Sequence, residues 1–521
     1  MIVRRAVRLF LIALCSTVIG TAVSAQIPPV KSAPLSRQVP SGTGTCSVEK
    51  SCAEVAPAII QSALGASPLE ENLRYLSDVI GGRVTGSEAA DRAVGWSVEA
   101  FRHAGVDEVH TEKFMVPVGW SEGHTYVEVL SPASFPVRVV SIGLSPATPE
   151  GGITADVVDV GPGEDAGFAK AGASAKGAIV LVHSNLLVTW DDLVNEYRTN
   201  TVVIGRAMKA GAAAIFWMST RPNLLLYRHT ESADGQLEPL PQAVVAREHA
   251  ERMARLLGSG QKLRVHFEMP NHVTGPVASE NVVAEIRGRE KPDEFVILGA
   301  HLDSWELGTG ALDNGCNAAL VIDAARAIHS SGTIPRRSIR FVLFTGEEQG
   351  LLGSWAYAQA HRAELNRMAA AIVFDAGIGA VTGYSLGGRK DILAAVHDAL
   401  VPVASLGVKD FTLDAETGTD HFDFLLEGVP TLVANQEPAN YVLNYHAESD
   451  TFDKVDIGQL KRHVAIAAVT AYALADREER VGARQSRAEI EQLMKETGLE
   501  TEMKLEGSWG VWASGARGRQ P

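Results

Sequence analysis

The sequence predicts an α/β protein with a mostly parallel mixed sheet flanked by helices on both faces. Three observations carry that prediction. From about residue 281 to 476, short strand-length apolar runs alternate with longer helical runs, the order of a parallel sheet with crossover helices. Runs such as Phe295 to Ala300 and Ile339 to Phe344 are almost continuously apolar, as strands covered on both faces are. Three successive runs end in an acid or a histidine, at the rim where open α/β sheets bind ligands.

The chain opens with Arg4, Arg5 and Arg8, an apolar stretch from Leu9 to about Val23, and the small-x-small site Val23-Ser24-Ala25. Residues 1–25 read as a signal peptide, which makes the mature protein secreted or periplasmic. Residues 26–52 are rich in Pro, Ser and Gly and read as a flexible leader. Cys46 and Cys52 lie six apart there, a candidate small disulfide loop in an oxidising compartment.

Residues 53–141 begin with helical periodicity, Leu73, Leu76 and Ile80 recurring at three- and four-residue steps. A second helix is expected from Glu88 to His103, between Ser87 and Gly105. Strand-like runs follow at Val109 to Val116 and Thr125 to Leu130. Residues 142–270 change texture. Short β-runs (Ala155 to Val160, Ala178 to Val182, Ala213 to Met218, Leu263 to Phe267) stand among frequent Gly and Ala, and no cluster of acids and histidines is apparent. They read as an inserted β-rich module.

Residues 271–476 carry the alternation. Helices are expected at Asn314 to His329, Gly350 to Ala363, Asp391 to Leu400 and Ile457 to Leu474. Residues 477–521 form a charged tail in which Ile490, Leu493 and Met494 mark one short amphipathic helix.

Composition narrows the function. The chain has 521 residues and a formal net charge of −15, which disfavours nonspecific nucleic-acid binding, since that needs a basic surface. Beyond the signal no segment has 18 uninterrupted apolar residues, so no stable membrane insertion is expected after its removal.

The chemistry gathers at the strand ends. Phe295 to Ala300 leads into His301-Leu302-Asp303, Ile339 to Phe344 into Thr345-Gly346-Glu347-Glu348, and Ala370 to Phe374 into Asp375. Asp313 opens the helix that follows His301, and His446 lies in the later loop Asn444 to Asp450. So many carboxylates in one place repel one another unless divalent cations neutralise them. Two histidines among carboxylates suit zinc, and two ions require a shared carboxylate.

The segments His301-Leu302-Asp303-Ser304, Leu312-Asp313-Asn314-Gly315, Gly346-Glu347-Glu348-Gln349-Gly350, Phe374-Asp375-Ala376-Gly377 and His446-Ala447-Glu448-Ser449-Asp450-Thr451 resemble the motif set of the co-catalytic zinc aminopeptidase family. That family includes leucyl aminopeptidases and glutamate carboxypeptidases. The inserted module, with Lys176 to Val182 and Ala207 to Ala214, resembles the protease-associated domain of such enzymes. The resemblance implies a three-layer αβα zinc-peptidase fold and two zinc ions. Asp313 bridges them, His301 and Asp375 complete one site, and Glu348 and His446 the other. Glu347 is the general base, and Asp303 orients His301. The reaction implied is exopeptidase cleavage of short peptides or dipeptides by a metal-bridging hydroxide. Dimerisation is common in the family, so a homodimer is an expectation too. Asp420, His421 and Tyr445 are candidate substrate contacts; the competing reading is a helix cap, a surface His and a packing aromatic.

Three rivals stand beside this reading. One is a single-zinc glutaminyl cyclase of the same fold, and another a non-catalytic binding protein that keeps the fold. The third is a serine hydrolase, since Gly383-Tyr384-Ser385-Leu386-Gly387 fits G-x-S-x-G. A β-turn explains that match more simply, in a chain with 49 glycines.

Overall fold

The computed structural model describes residues 52–520. The signal peptide and the Cys46–Cys52 pairing lie outside the described residues. One eight-stranded sheet organises the part of the chain that carries the acid and histidine motifs. Its strands are β1 (Glu108–Val116), β2 (Val277–Ile286), β3 (Lys291–His301), β4 (Arg337–Phe344), β5 (Met368–Val373), β6 (Val381–Ser385), β7 (Asp410–Thr412) and β8 (Thr431–Gln436). Their spatial order is β1-β2-β4-β3-β5-β8-β6-β7. The central four, β4-β3-β5-β8, run parallel. Strand β2 joins β4 antiparallel, and β6 joins β8 antiparallel, so the sheet is mixed with a parallel centre.

The alternation of side chains along β3 and β4 builds two cores. Val296, Leu298, Ile339, Phe341 and Leu343 face the helices α1 (Cys52–Leu64), α2 (Glu88–Ala104), α3 (Cys316–Ser330) and α4 (Ile457–Asp476). Phe295, Ile297, Val342 and Phe344 point the other way, onto Tyr357, Phe424 and Val429. All nine strand residues are at most 1% exposed, each large one contributing about 1.5–3 kcal/mol of transfer free energy. Covering on both faces explains why these strands are uniformly apolar.

Helix limits follow local chemistry. The Ser87 side chain accepts from the Ala90 N–H at the start of α2, and Gly105 ends it at φ 87. Helix α3 begins two residues later than its periodicity suggests, because Ala311–Gly315 forms a separate tight turn carrying Asp313. The helix after Glu348 spans Leu352–Ala360 and not Gly350 to Ala363. Gly350 and Leu351, at φ 108 and 60, cannot belong to a right-handed helix.

A second eight-stranded sheet lies between residues 126 and 268. It contains Ile153–Asp159, Ile179–Val182, Ala214–Met218 and Arg264–Glu268, and also Tyr126–Ser131 and Phe135–Val137. Val127, Leu181, Phe216 and Phe267 make its own core. From it a long helix, Trp190–Ala210, reaches the rim of the first sheet, closed at its start by a capping box between Thr189 and Asp192. The tail holds three helices, Arg487–Thr497, Leu499–Leu505 and Trp509–Ala513. Its Ile490, Leu493, Met494, Met503 and Trp512 pack on Phe422, Leu425 and Leu426. Among the described residues no helix is long and apolar enough to cross a membrane.

Candidate metal centre

His301, Glu347, Glu348 and Asp375 sit at or just past strand ends, Asp313 in the turn before α3, and His446 just past the short helix Tyr441–Asn444. His301 is the last residue of β3. Glu347 and Glu348 follow β4 after Gly346, whose φ of +76 turns the chain so that the adjacent carboxylates diverge. Glu347 Oε2 stands 3.9 Å from His301 Nε2, whereas Glu348 Oε2 stands 2.8 Å from His446 Nε2. Asp375 lies just past β5, 3.0 Å from His301 Nε2.

Asp313 faces both histidines, with Oδ1 3.2 Å from His301 Nε2 and Oδ2 3.2 Å from His446 Nε2. Its turn depends on Gly310. A Cβ there would lie 2.3–2.4 Å from the Ser304 side chain, and its φ of +59 favours glycine. Two neighbours lock the turn. Arg83, fully buried, donates to the carbonyls of Leu302, Thr309 and Gly310 at 2.5, 2.9 and 2.8 Å. The Asp450 carboxylate accepts from the Leu312 and Asp313 N–H groups at 2.6 and 3.0 Å.

Two groups of ligand atoms result, His301-Asp313-Asp375 and Asp313-Glu348-His446, each with its atoms within 4.8 Å of one another. They share Asp313. Burial opposes ionisation of Asp313, yet His301 and His446 hold its carboxylate below the usual range. Burial pushes Glu347 well up and Glu348 up to about 7. It also opposes charge on His446, but Glu348 and Asp313 outweigh it and raise the imidazole to about 9. Asp313 Oδ2 and Glu348 Oε1 are buried without a hydrogen-bond partner. Such groups are costly unless a cation takes them. The imidazole and carboxylate donors fit divalent transition metals with zinc's preferences.

His301 Nδ1 meets the main-chain carbonyl of Asp303 at 3.0 Å, and the carboxylate stands 3.7 Å away. That carboxylate accepts from the Thr85 hydroxyl at 2.9 Å and the Glu347 N–H at 3.3 Å. It therefore ties the β3 end to the β4 end. Tyr445 stacks on His446 at 3.6 Å between ring centroids, and its hydroxyl pairs with that of Tyr197 at 2.8 Å. Asp420 and His421 are at most 1% exposed and do not line the cavity over the centre, although their neighbours Thr419 and Phe422 do. Ser385 donates to the Asp414 carbonyl at 2.7 Å and lies outside that cavity.

The cavity measures about 570 Å³, with the two ligand groups at its floor. Trp190, Leu193 and Tyr197 of the long helix give it apolar walls, as do Tyr441 and Phe422. Glu231, Glu416, Glu502 and Glu506 make it acidic, the last two from the tail. Tyr445 also lines the cavity and is singled out by the sequence; the other wall residues named here are not. The one available signal was the helix periodicity of residues 190–210, which does not say what the helix covers.

Comparison with known proteins agrees with this geometry. The family model described as "Peptidase family M28" matches residues 281–471. Human carboxypeptidase Q is 31% identical over 435 residues, covering 82% of this chain and 90% of that protein. The crystal structure of a peptidase M28 precursor from Shewanella amazonensis SB2B superposes with a TM-score of 0.76 at 29% identity, covering 84% of this chain and 99% of that one. The zinc aminopeptidase BSAP of Bacillus subtilis shares the fold, with a TM-score of 0.62 at 20% identity over 80% of this chain and 97% of that one. Fold, site and relatives together define a metallo-exopeptidase. The chain belongs to peptidase family M28.

Proposed function

We propose that this protein is an exported two-zinc exopeptidase that hydrolyses short peptides with a free end, dipeptides among them. One observation carries the reading: two ligand groups share the Asp313 carboxylate at the floor of a single cavity. His301, Asp313 and Asp375 would hold one ion, and Asp313, Glu348 and His446 the other. When bound, the zinc pair supplies Lewis acidity toward the attacking water and the scissile carbonyl.

The chain's own residues do the rest. Glu347 belongs to neither ligand group and lines the cavity. Its carboxylate takes the proton from water and returns it to the leaving amine. Burial holds its proton affinity well above that of an exposed glutamate, the direction a base working near neutral pH needs. Asp303 fixes the Glu347 main chain. The Trp190–Ala210 helix roofs the cavity and limits water, in the manner of a lid on a protease-associated unit. Residues 1–25 would direct export.

The test is hydrolysis of an unblocked dipeptide panel, with N-acetylated and C-amidated members, before and after chelation and zinc return. Turnover should vanish with chelator and reappear with zinc, and the blocked members report which free end is needed. Glu347→Gln should fold normally and lose about 10²–10⁴ in kcat, the usual share of a general base. Wild-type turnover in that variant overturns the reading.

A further inference from the structure

His446 lies in the left-handed region at φ 57. For a non-glycine residue that conformation costs about 1–3 kcal/mol and persists where neighbours over-determine it. The neighbours come from the unit that carries the second sheet. The Arg221 guanidinium, 0% exposed, donates to the Tyr445 carbonyl at 2.8 Å. The Arg228 N–H donates to the His446 carbonyl at 3.0 Å. Tyr227 and Ala447 form an isolated antiparallel bridge, and the Glu448 N–H donates to the Leu226 carbonyl at 3.1 Å. Arg138 adds two bonds of 2.6 Å to the Glu448 carboxylate.

Every residue from 445 to 448 is thus tied to chain between 138 and 228. Arg221 is itself held, 4.0 Å over the Tyr227 ring and 3.6 Å from Glu196. The other half of the centre is held differently. His301 and Asp375 contact each other at 3.0 Å, and the second nitrogen of His301 meets the Asp303 carbonyl.

We infer that the second-sheet unit, through Arg221 and the 226–228 segment, is the positioning element for the His446 half of the metal centre. Beyond roofing the cavity, it presents His446 to Asp313 and Glu348. Filling of that half depends on it, and filling of the His301 half does not. The inference rests on the two-zinc reading. Arg221 touches neither the metal ligands' donor atoms nor the Glu347 base, so it is a positioning residue acting through Tyr445 and His446.

The experiment measures zinc bound per chain across a series of buffered free-zinc concentrations, using the mature wild type and Arg221→Met, Arg221→Lys and Arg138→Ala. Cobalt-substituted samples, read by visible absorption, report the two halves spectroscopically. Wild type should take up two ions. Arg221→Met should keep one at wild-type affinity and bind the other about 10- to 100-fold more weakly, the usual effect of removing a group that orients a ligand. Arg221→Lys, which keeps one donor, should fall between. Arg138→Ala removes a pair on the surface and should weaken the same ion less. Should Arg221→Met not fold, Arg221→Lys and Arg138→Ala decide. Two ions at wild-type affinity in the folded variants, or equal weakening of both, overturns the inference. A wild type that binds a single ion overturns the two-zinc reading and this inference with it.

Discussion

Arg517, four residues from the end of the chain, closes its guanidinium on the Asp423 carboxylate with bonds of 2.7 and 2.8 Å, and both residues are at most 2% exposed. Asp423 stands in the short helix His421–Leu426, beside the Thr419 and Phe422 that line the cavity. Arg517 lines the cavity as well and stacks over Trp355 at 4.8 Å. The tail is therefore part of the core beside the cavity and of the cavity's wall.

Breaking that pair should be severe. Arg517→Ala leaves Asp423 buried without its countercharge, a change that costs about 3–5 kcal/mol. Among the described residues Ser354 alone still donates to it, at 2.9 Å. Urea unfolding should show the loss, and Asp423→Asn with Arg517→Met should recover part of it. A loss under about 1 kcal/mol, the size of a surface ion pair, would contradict the burial argument.

The contrast between legible and illegible parts follows from locality. Three of the candidate ligands are readable because each is announced beside itself in sequence: an apolar run, then His301, Glu348 or Asp375 at or just past its end. The walls are not. Glu502 and Glu506 sit in a tail whose alternating charges look like any solvated helix, and only folding of α-helical segments onto Phe422 and Leu426 brings them to the cavity. Trp190 and Tyr197 reach it across some 250 residues of sequence to meet Tyr441 and Tyr445. Asp303 shows a subtler limit. Sequence places it beside His301 but does not reveal that its carbonyl, and not its carboxylate, meets the ring at hydrogen-bond distance.

A pH dependence is expected far from the centre. Glu112 contacts His110 at 3.1 Å and His361 at 2.9 Å. Burial opposes its ionisation, but hydrogen bonds with His110 and His361 bring its pKa down to about 2. A depressed carboxyl stabilises the fold above its unfolded value, near 4.5, and that contribution is lost as pH falls through about 2. His110 is raised, chiefly by its hydrogen bond to Glu112. Its contribution is complete below its usual 6.5 and fades as pH rises through the raised value. The stability difference between wild type and Glu112→Gln should therefore peak at about pH 5–6 and shrink on both sides. A difference that stays level from acid to alkaline pH refutes this assignment.

Ser385 should be dispensable for catalysis. It is 2% exposed and its hydroxyl is spent on the Asp414 carbonyl, so no base is placed to activate it. Ser385→Ala should keep kcat/KM within about twofold and cost about 0.5–1.5 kcal/mol for the lost hydrogen bond. Chelator-resistant ester cleavage that disappears in this variant would restore the serine-hydrolase reading.

Metal removal should separate stability from turnover. A ligand that binds only the folded state stabilises it by about 2.7 kcal/mol at 100 times its Kd, and the orphaned oxygens of Asp313 and Glu348 are groups a cation would satisfy. Chelation should lower the Tm of wild type, and zinc should restore it. Glu347→Gln should show the same zinc-dependent rise without turnover, because Glu347 belongs to neither ligand group. Asp313→Asn should lose both the rise and the turnover, because Asp313 belongs to both groups. Calorimetric scans of the three proteins with and without zinc, run beside a dipeptide assay, decide the matter. If Asp313→Asn keeps the full zinc-dependent shift, the shared carboxylate is not what holds the ions together.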